Sequence, residues 1–130
     1  HFPNLVHPNT SFGMYRPPDM TLCQGTIICS GTIITNSIII GSFSIFNMNC
    51  TIGHDCFIGD FVTISPGANI AGYVEIKNGS YIGSGATVLQ GKPNSPLVIS
   101  EQCVIGAGAV VIKECEASST YIGIPARKIK

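Results

Sequence analysis

Apolar residues recur at every sixth position along most of the chain: Leu22, Ile28, Ile34, Ile40, Phe46, Ile52, Ile58, Ile64, Ile70, Ile76, Ile82 and Val88. The register slips by five residues across 90–98 and resumes at Ile99, Ile105 and Val111. A six-residue step throws successive apolar residues to nearly opposite sides of a helix, so no helical face accounts for the pattern. A short strand followed by a corner does. The position two before each apolar residue is mostly small or β-branched (Thr26, Thr32, Ser44, Cys50, Cys56, Val62, Ala68), and two inward positions flanking an outward one is strand alternation. The residue after the apolar one is often glycine, as at Gly41, Gly53, Gly59, Gly83 and Gly106, or else Asn47, which predicts a corner with φ > 0 at that position.

Three six-residue sides close a triangular coil of eighteen residues, and successive coils stack like parallel strands about 4.8 Å apart. The pattern therefore predicts an all-β chain: a parallel β-helix of hexapeptide repeats with about five triangular coils over residues 21–116. One loop, at 90–98, is extruded; residues 1–20 form an N-terminal strap and residues 117–130 a C-terminal tail. The strap is expected to be extended because of Pro3, Pro8, Pro17 and Pro18. The outward positions read Ile27, Ile33, Ile39, Ile45 and Phe57 early and Thr63, Asn69 and Glu75 later. They predict an apolar patch in the first half, read as a threefold subunit interface or as a surface covered by the strap.

Composition narrows the picture. Seven Lys+Arg balance seven Asp+Glu, so no basic field gathers nucleic acid or an anionic membrane. No apolar run reaches the roughly 18 residues of a membrane-spanning helix, and the start lacks a signal-like run, so a cytoplasmic location is expected. None of the six cysteines are eighteen residues apart. Cys50, Cys56, Cys103 and Cys115 take the small inward position, which predicts reduced core thiols. Of the three histidines, His1 and His7 lie in the strap and only His54 lies inside the repeat. A site of three histidines converging on a metal from stacked strands is excluded, and no metal is expected.

His54 falls at a corner, two residues past Ile52. One coil before it lies Asn36, one coil after it Gly72, and two coils after it Gln90, where the loop departs. Imidazole is matched to proton transfer near neutral pH, and a bare backbone at Gly72 admits a ligand and offers an N–H to an oxyanion. Asp55 orients His54 only if the chain turns there, since neighbours on a regular strand point to opposite faces. By position alone, a solvated corner histidine is the competing reading.

The run from Asn47 through Ile52-Gly53-His54-Asp55-Cys56 to Ala71-Gly72 resembles the sialic-acid O-acetyltransferase and UDP-4-amino-sugar N-acetyltransferase family. The likeness continues through Tyr81–Ala86 and Val104–Val111 into Gly123-Ile124-Pro125-Ala126-Arg127. The resemblance implies a left-handed β-helix, a homotrimer, and acetyl transfer from acetyl-CoA to a sugar by direct attack, with active sites in clefts between neighbouring prisms. It implies His54 as general base, Asp55 as the acidic neighbour that supports it, and Asn47 on the substrate side. Gly72, Thr63, Ser84, Gly85 and Gly106 are implied for the acetyl-CoA site. Thr63 stands where some members carry a second histidine, and the family's N-terminal nucleotide-sugar subdomain is expected to have no counterpart here. Lys92, Lys113, Arg127, Lys128 and Lys130 gather in the last third, either to meet CoA phosphates or as a solvated tail. The favoured acceptor is the amine of a UDP-4-amino sugar; a sialic-acid hydroxyl and a non-catalytic assembly scaffold are the alternatives.

Overall fold

The computed structural model describes residues 1–13 and 20–130 of the chain. Strands of two or three residues follow one another around a three-sided prism, and no helix occurs among the described residues. The first side stacks Leu5–Val6, Ile27–Ile28, Ile45–Phe46, Thr63–Ile64, Tyr81–Ile82, Val104–Ile105 and Thr120–Ile122 in parallel, with Arg127–Lys128 added antiparallel at the end. The second side runs from Ser11–Phe12 to Val110–Val111 and the third from Met20–Leu22 to Leu97–Ile99. Within the regular part the register is the eighteen-residue coil, as in Ile52 opposite Ile70 and Ile58 opposite Ile76.

The strands from Ile27–Ile28 to Val110–Val111 carry the alternation that the sequence predicts, with the repeat's apolar residue turned inward. Ile34, Ile52, Ile58, Ile64, Ile76, Ile82 and Ile105 are fully buried, forming isoleucine columns each worth about 1.5–3 kcal/mol per buried side chain. The small inward hydroxyls are buried but satisfied. Thr26 donates to the Gly41 carbonyl at 3.0 Å, Thr32 to Asn47 at 3.0 Å and Ser44 to Gly59 at 2.8 Å, which removes the cost of an unpaired buried polar group.

The described residues make about six coils rather than about five, because the sheets extend past the expected boundaries at both ends. Leu5 pairs with Ile27 and Ser11 with Ile33, so Leu5–Val6 and Ser11–Phe12 supply rungs instead of only strapping across the prism. Thr120–Ile122 likewise continues the first side beyond residue 116. Pro17 and Pro18 lie outside the described residues. The extruded loop is present as expected: Lys92 and Ser95 exchange backbone hydrogen bonds at its neck.

The outward isoleucines do not form one patch. Leu5, Ile27 and Ile45 stack on the first side, Ile39 stacks with Phe57 on the third, and Ile33 sits on the second between Ser11 and Thr51. Consecutive hexads face three directions, so the repeat that fills the core disperses its outer residues.

Positive φ falls elsewhere than expected. It occurs three residues after the buried apolar residue, at Gly31, Ser37, Phe43, Asn49, Asp55, Phe61, Gly67, Tyr73 and Gly85, and not at Gly41, Gly53 or Gly83. Those three glycines answer a different need. A Cβ on Gly53 would lie 2.6 Å from the Ala71 carbonyl carbon and 2.7 Å from Gly72 N, and Gly41 and Gly83 face equally close backbone one coil on. Glycine is there because adjacent coils touch at that corner. Gly53→Ala is therefore expected to destabilise the prism by about 1–3 kcal/mol, as overpacking does. A chemical-denaturation midpoint unchanged from the parent chain would show that the coils have slack there.

All six cysteines are free, and the four at inward positions are buried. Cys103 and Cys115 nonetheless meet thiol to thiol, because they enter the core from different sides. The hydrogen bond to Cys103, with burial, holds the Cys115 thiol far above its ordinary range.

Candidate active site

The corner between the second and third sides carries Gly53-His54-Asp55 in one coil and Ala71-Gly72-Tyr73 in the next. Asp55 has φ 56, and this left-handed residue folds the carboxylate back on its neighbour. His54 Nδ1 lies 2.8 Å from Asp55 Oδ2. The turn that a regular strand forbids is thus supplied by the corner itself. A carboxylate on Nδ1 accepts the proton there and leaves Nε2 as the basic nitrogen. Both side chains remain open to solvent, at 48% and 42% exposure.

The ring is held from above by the next coil. A Cβ on Gly72 would stand 2.6 Å from His54 Nε2 and 2.7 Å from Cε1. The imidazole thus occupies the space that the absent side chain leaves, where sequence reasoning put a ligand. Among the described residues the Gly72 N–H donates to no backbone carbonyl, so it is available as a donor. Tyr73 meets the imidazole edge-on, with ring centroids 5.0 Å apart and planes at 89°. Its backbone N–H donates to the His54 carbonyl at 2.9 Å.

Cys56 stands two residues from His54, yet it is not a nucleophile. Its thiol donates to the Ala71 carbonyl at 3.1 Å, and burial pushes it up to about 11; thiolate, the reactive form, is scarce at neutral pH. On the coil below, Asn36 keeps a buried side-chain oxygen without a hydrogen-bond partner. No group of three or more His, Cys, Asp or Glu side chains among the described residues is arranged to hold a metal ion.

The remaining residues singled out in the sequence do not join His54 within one chain. Asn47 sits at the corner between the first and second sides, where its amide donates to the Ile64 carbonyl at 3.1 Å. Ser84, Gly85 and Gly106 follow the first side at that same corner, and Thr63 lies on the first side between Ile45 and Tyr81. Gly85 is open: a Cβ there would meet nothing within 4 Å. Gly106 is not, because a Cβ would lie 2.8 Å from Ile122 of the tail. Gly67 and Gly108, which the resemblance does not single out, are as open as Gly85 and have φ of 70 and 67. Their signal was a glycine at the third corner position in three coils. Lys113, Arg127 and Lys128 line a cleft of about 720 Å³ at the C-terminal end, where Lys128 is paired with Glu116.

Comparison with known proteins bears on this geometry. A model of the bacterial transferase hexapeptide family (six repeats) matches residues 55–90. The GDP-perosamine N-acetyltransferase of Escherichia coli O157:H7 is 44% identical over 84 residues, which are 65% of this chain and 38% of that protein. Among solved structures, WeeI from Acinetobacter baumannii AYE superposes with a TM-score of 0.90 at 38% identity, over 95% of this chain and 57% of that one. PerB from Caulobacter crescentus, in complex with CoA and GDP-perosamine, superposes with a TM-score of 0.88 at 27% identity, over 99% of this chain and 58% of that one. The chain therefore spans between about two fifths and three fifths of the length of these relatives.

Proposed function

We propose that this chain, which belongs to the hexapeptide-repeat transferases, is the β-helical catalytic portion of an acetyl-CoA-dependent sugar N-acetyltransferase. The observation that carries the reading is the His54–Asp55 pair set against the bare Gly72 backbone. In the proposed reaction the acceptor amine attacks the thioester carbon of acetyl-CoA while His54 Nε2 takes the amine proton. The Gly72 N–H donates to the oxygen on which negative charge develops. The C–S bond then breaks, and the proton held on His54 returns to the departing thiolate. No acetyl group passes through the enzyme, which agrees with the raised thiol of Cys56.

Two features support an acetyl-CoA site. The open column at Gly67, Gly85 and Gly108 lets a slender chain approach the backbone, and Lys113 and Arg127 in the C-terminal cleft suit phosphates. The glycine column lies on a different corner of the prism from His54, whereas Lys113 follows the second side as His54 does, at the C-terminal end. The complete site is therefore proposed to form between neighbouring prisms of a threefold assembly, with Asn47, Thr63 and Ser84 contributed across the cleft.

An amine is favoured over a sialic-acid hydroxyl because the GDP-perosamine N-acetyltransferase and PerB, in complex with GDP-perosamine, both act in the context of an amino sugar nucleotide by name or by ligand. The acceptor is accordingly proposed as a nucleotide-linked amino sugar, with GDP-linked and UDP-linked forms to be compared. Acetyl-CoA is expected to raise the thermal midpoint of the chain in a dose-dependent way, as linkage requires of a ligand for the native state, while free ATP is not. A midpoint indifferent to millimolar acetyl-CoA would favour a non-catalytic scaffold.

A further inference from the structure

Tyr73 occupies a position where glycine is used in other coils. Its φ is 55, in a region that costs a non-glycine residue roughly a kilocalorie or more per mole and that accumulates at functional sites. The equivalent corner position holds Gly31, Gly67, Gly79 and Gly85 elsewhere in the repeat. A bulky ring retained there calls for a compensating contact. Phe43 and Phe61, the other aromatic residues in this conformation among the described residues, stack on each other along a different corner, with centroids 5.5 Å apart and planes at 14°. Tyr73 instead meets the imidazole of His54 at 5.0 Å and 89°.

Three contacts converge on this one residue. Its N–H donates to the His54 carbonyl, its carbonyl accepts from Leu97 N at 3.0 Å at the base of the extruded loop, and its ring flanks the imidazole. The Asp55 carboxylate fixes one ring nitrogen of His54 but leaves the imidazole free to swing about that hydrogen bond. An aromatic edge packed at a right angle restricts that motion. With Gly72 above the ring and Tyr73 beside it, only one orientation keeps Nε2 against the Gly72 backbone.

We propose that Tyr73 is a positioning residue for the general base: its ring, and not its hydroxyl, holds the His54 imidazole in the orientation that proton transfer needs. The proposal rests on the reading of His54 as the base. It makes three variants behave differently. Tyr73→Leu, which keeps a bulky side chain at the same φ, is expected to lower kcat roughly 10- to 100-fold, the scale of a misplaced catalytic group. KM for acetyl-CoA should stay within about twofold, because uniform binding is untouched. Tyr73→Phe should retain near-normal kcat. In NMR spectra of the full chain, the His54 ring protons should lose their aromatic ring-current shift in Tyr73→Leu and keep it in Tyr73→Phe.

Should Tyr73→Leu fold poorly, Tyr73→Gly provides the same test in a backbone that glycine already adopts at Gly67 and Gly85. Full activity in the Leu or Gly variant, or His54 resonances that do not move, overturns the proposal. An equal loss in Tyr73→Phe overturns it too, by assigning the role to the hydroxyl. His54→Ala measured alongside separates the two readings. Loss in His54→Ala with none in Tyr73→Leu leaves the base in place and removes only Tyr73, whereas near-normal turnover in His54→Ala removes the base and Tyr73's role with it.

Discussion

Gly72→Val is expected to abolish most of the acetyl transfer while leaving the prism folded. The three atoms nearest a Cβ at this position all belong to the His54 ring, the closest being Nε2 at 2.6 Å. Real carbon atoms do not approach that closely, so the imidazole must move. It can do so because it is a half-exposed side chain rather than backbone. Swinging away carries it off Asp55 and removes the base from the corner, which costs about 10²- to 10⁴-fold in rate. The added methyls also crowd the N–H proposed to meet the oxyanion, so the acetyl-CoA-induced rise in midpoint should shrink as well. The backbone at Gly72 has no positive φ, and the midpoint without ligand should stay close to that of the parent chain. Thermal scans with and without acetyl-CoA, read beside turnover, check both halves. A Gly72→Val chain with normal turnover would mean that His54 works from another position.

The second large effect belongs to His54 itself. In His54→Ala the Asp55 carboxylate loses its partner but, at 42% exposure, keeps water, so no buried charge is stranded and the fold should be indifferent. Acetyl-CoA should still raise the midpoint, because the proposed contacts with it lie along the open glycine corner and the C-terminal cleft. Turnover should fall by roughly 10²- to 10⁴-fold, the usual contribution of a general base. This split separates a base from a residue that merely shapes the site. Gly72→Val is expected to disturb binding and turnover together, whereas His54→Ala disturbs turnover alone.

The sequence made much of this corner legible, for a simple reason: where the coil is eighteen residues long, residues eighteen apart are neighbours. That arithmetic places Asn36, His54 and Gly72 in one column, and the backbone bonds Asp55 N to Asn36 O and Tyr73 N to His54 O follow it. The arithmetic fails where coils change length. Leu5 pairs with Ile27 and Ser11 with Ile33, each 22 residues on; Val6 and Phe12 keep the six-residue step, but the next step, to Leu22, is ten residues, so the first coil falls out of the run and reads as a strap. Cys103 and Cys115, twelve apart, escape a search for eighteen in the same way. Corner chemistry was harder to read than side chemistry. A glycine needed for close approach, as at Gly53, and one needed for its backbone angle, as at Gly67, look alike in a sequence. Tyr73 was invisible for the opposite reason, since an aromatic residue in a left-handed conformation runs against propensity.

The chain's outward residues carried less information. Consecutive hexads face different sides, so a run of isoleucines such as Ile27, Ile33 and Ile39 is spread around the prism rather than gathered. Only register, which the pairing supplies, says which of them share a face. The separation of the His54 corner from the open glycine corner is of the same kind. It emerges when the chain is wound into a triangle, and it is the reason the proposed site calls on a neighbouring prism.

The most direct test of the central claim is the release of free thiol from acetyl-CoA in the presence of a GDP- or UDP-linked amino sugar. It should be measured for the parent chain and for His54→Ala in preparations that acetyl-CoA stabilises equally. Thiol release that tracks amide formation in the parent chain, and falls at least a hundredfold in the variant, is the result expected of a base at this corner. Equal rates in the two preparations would contradict it.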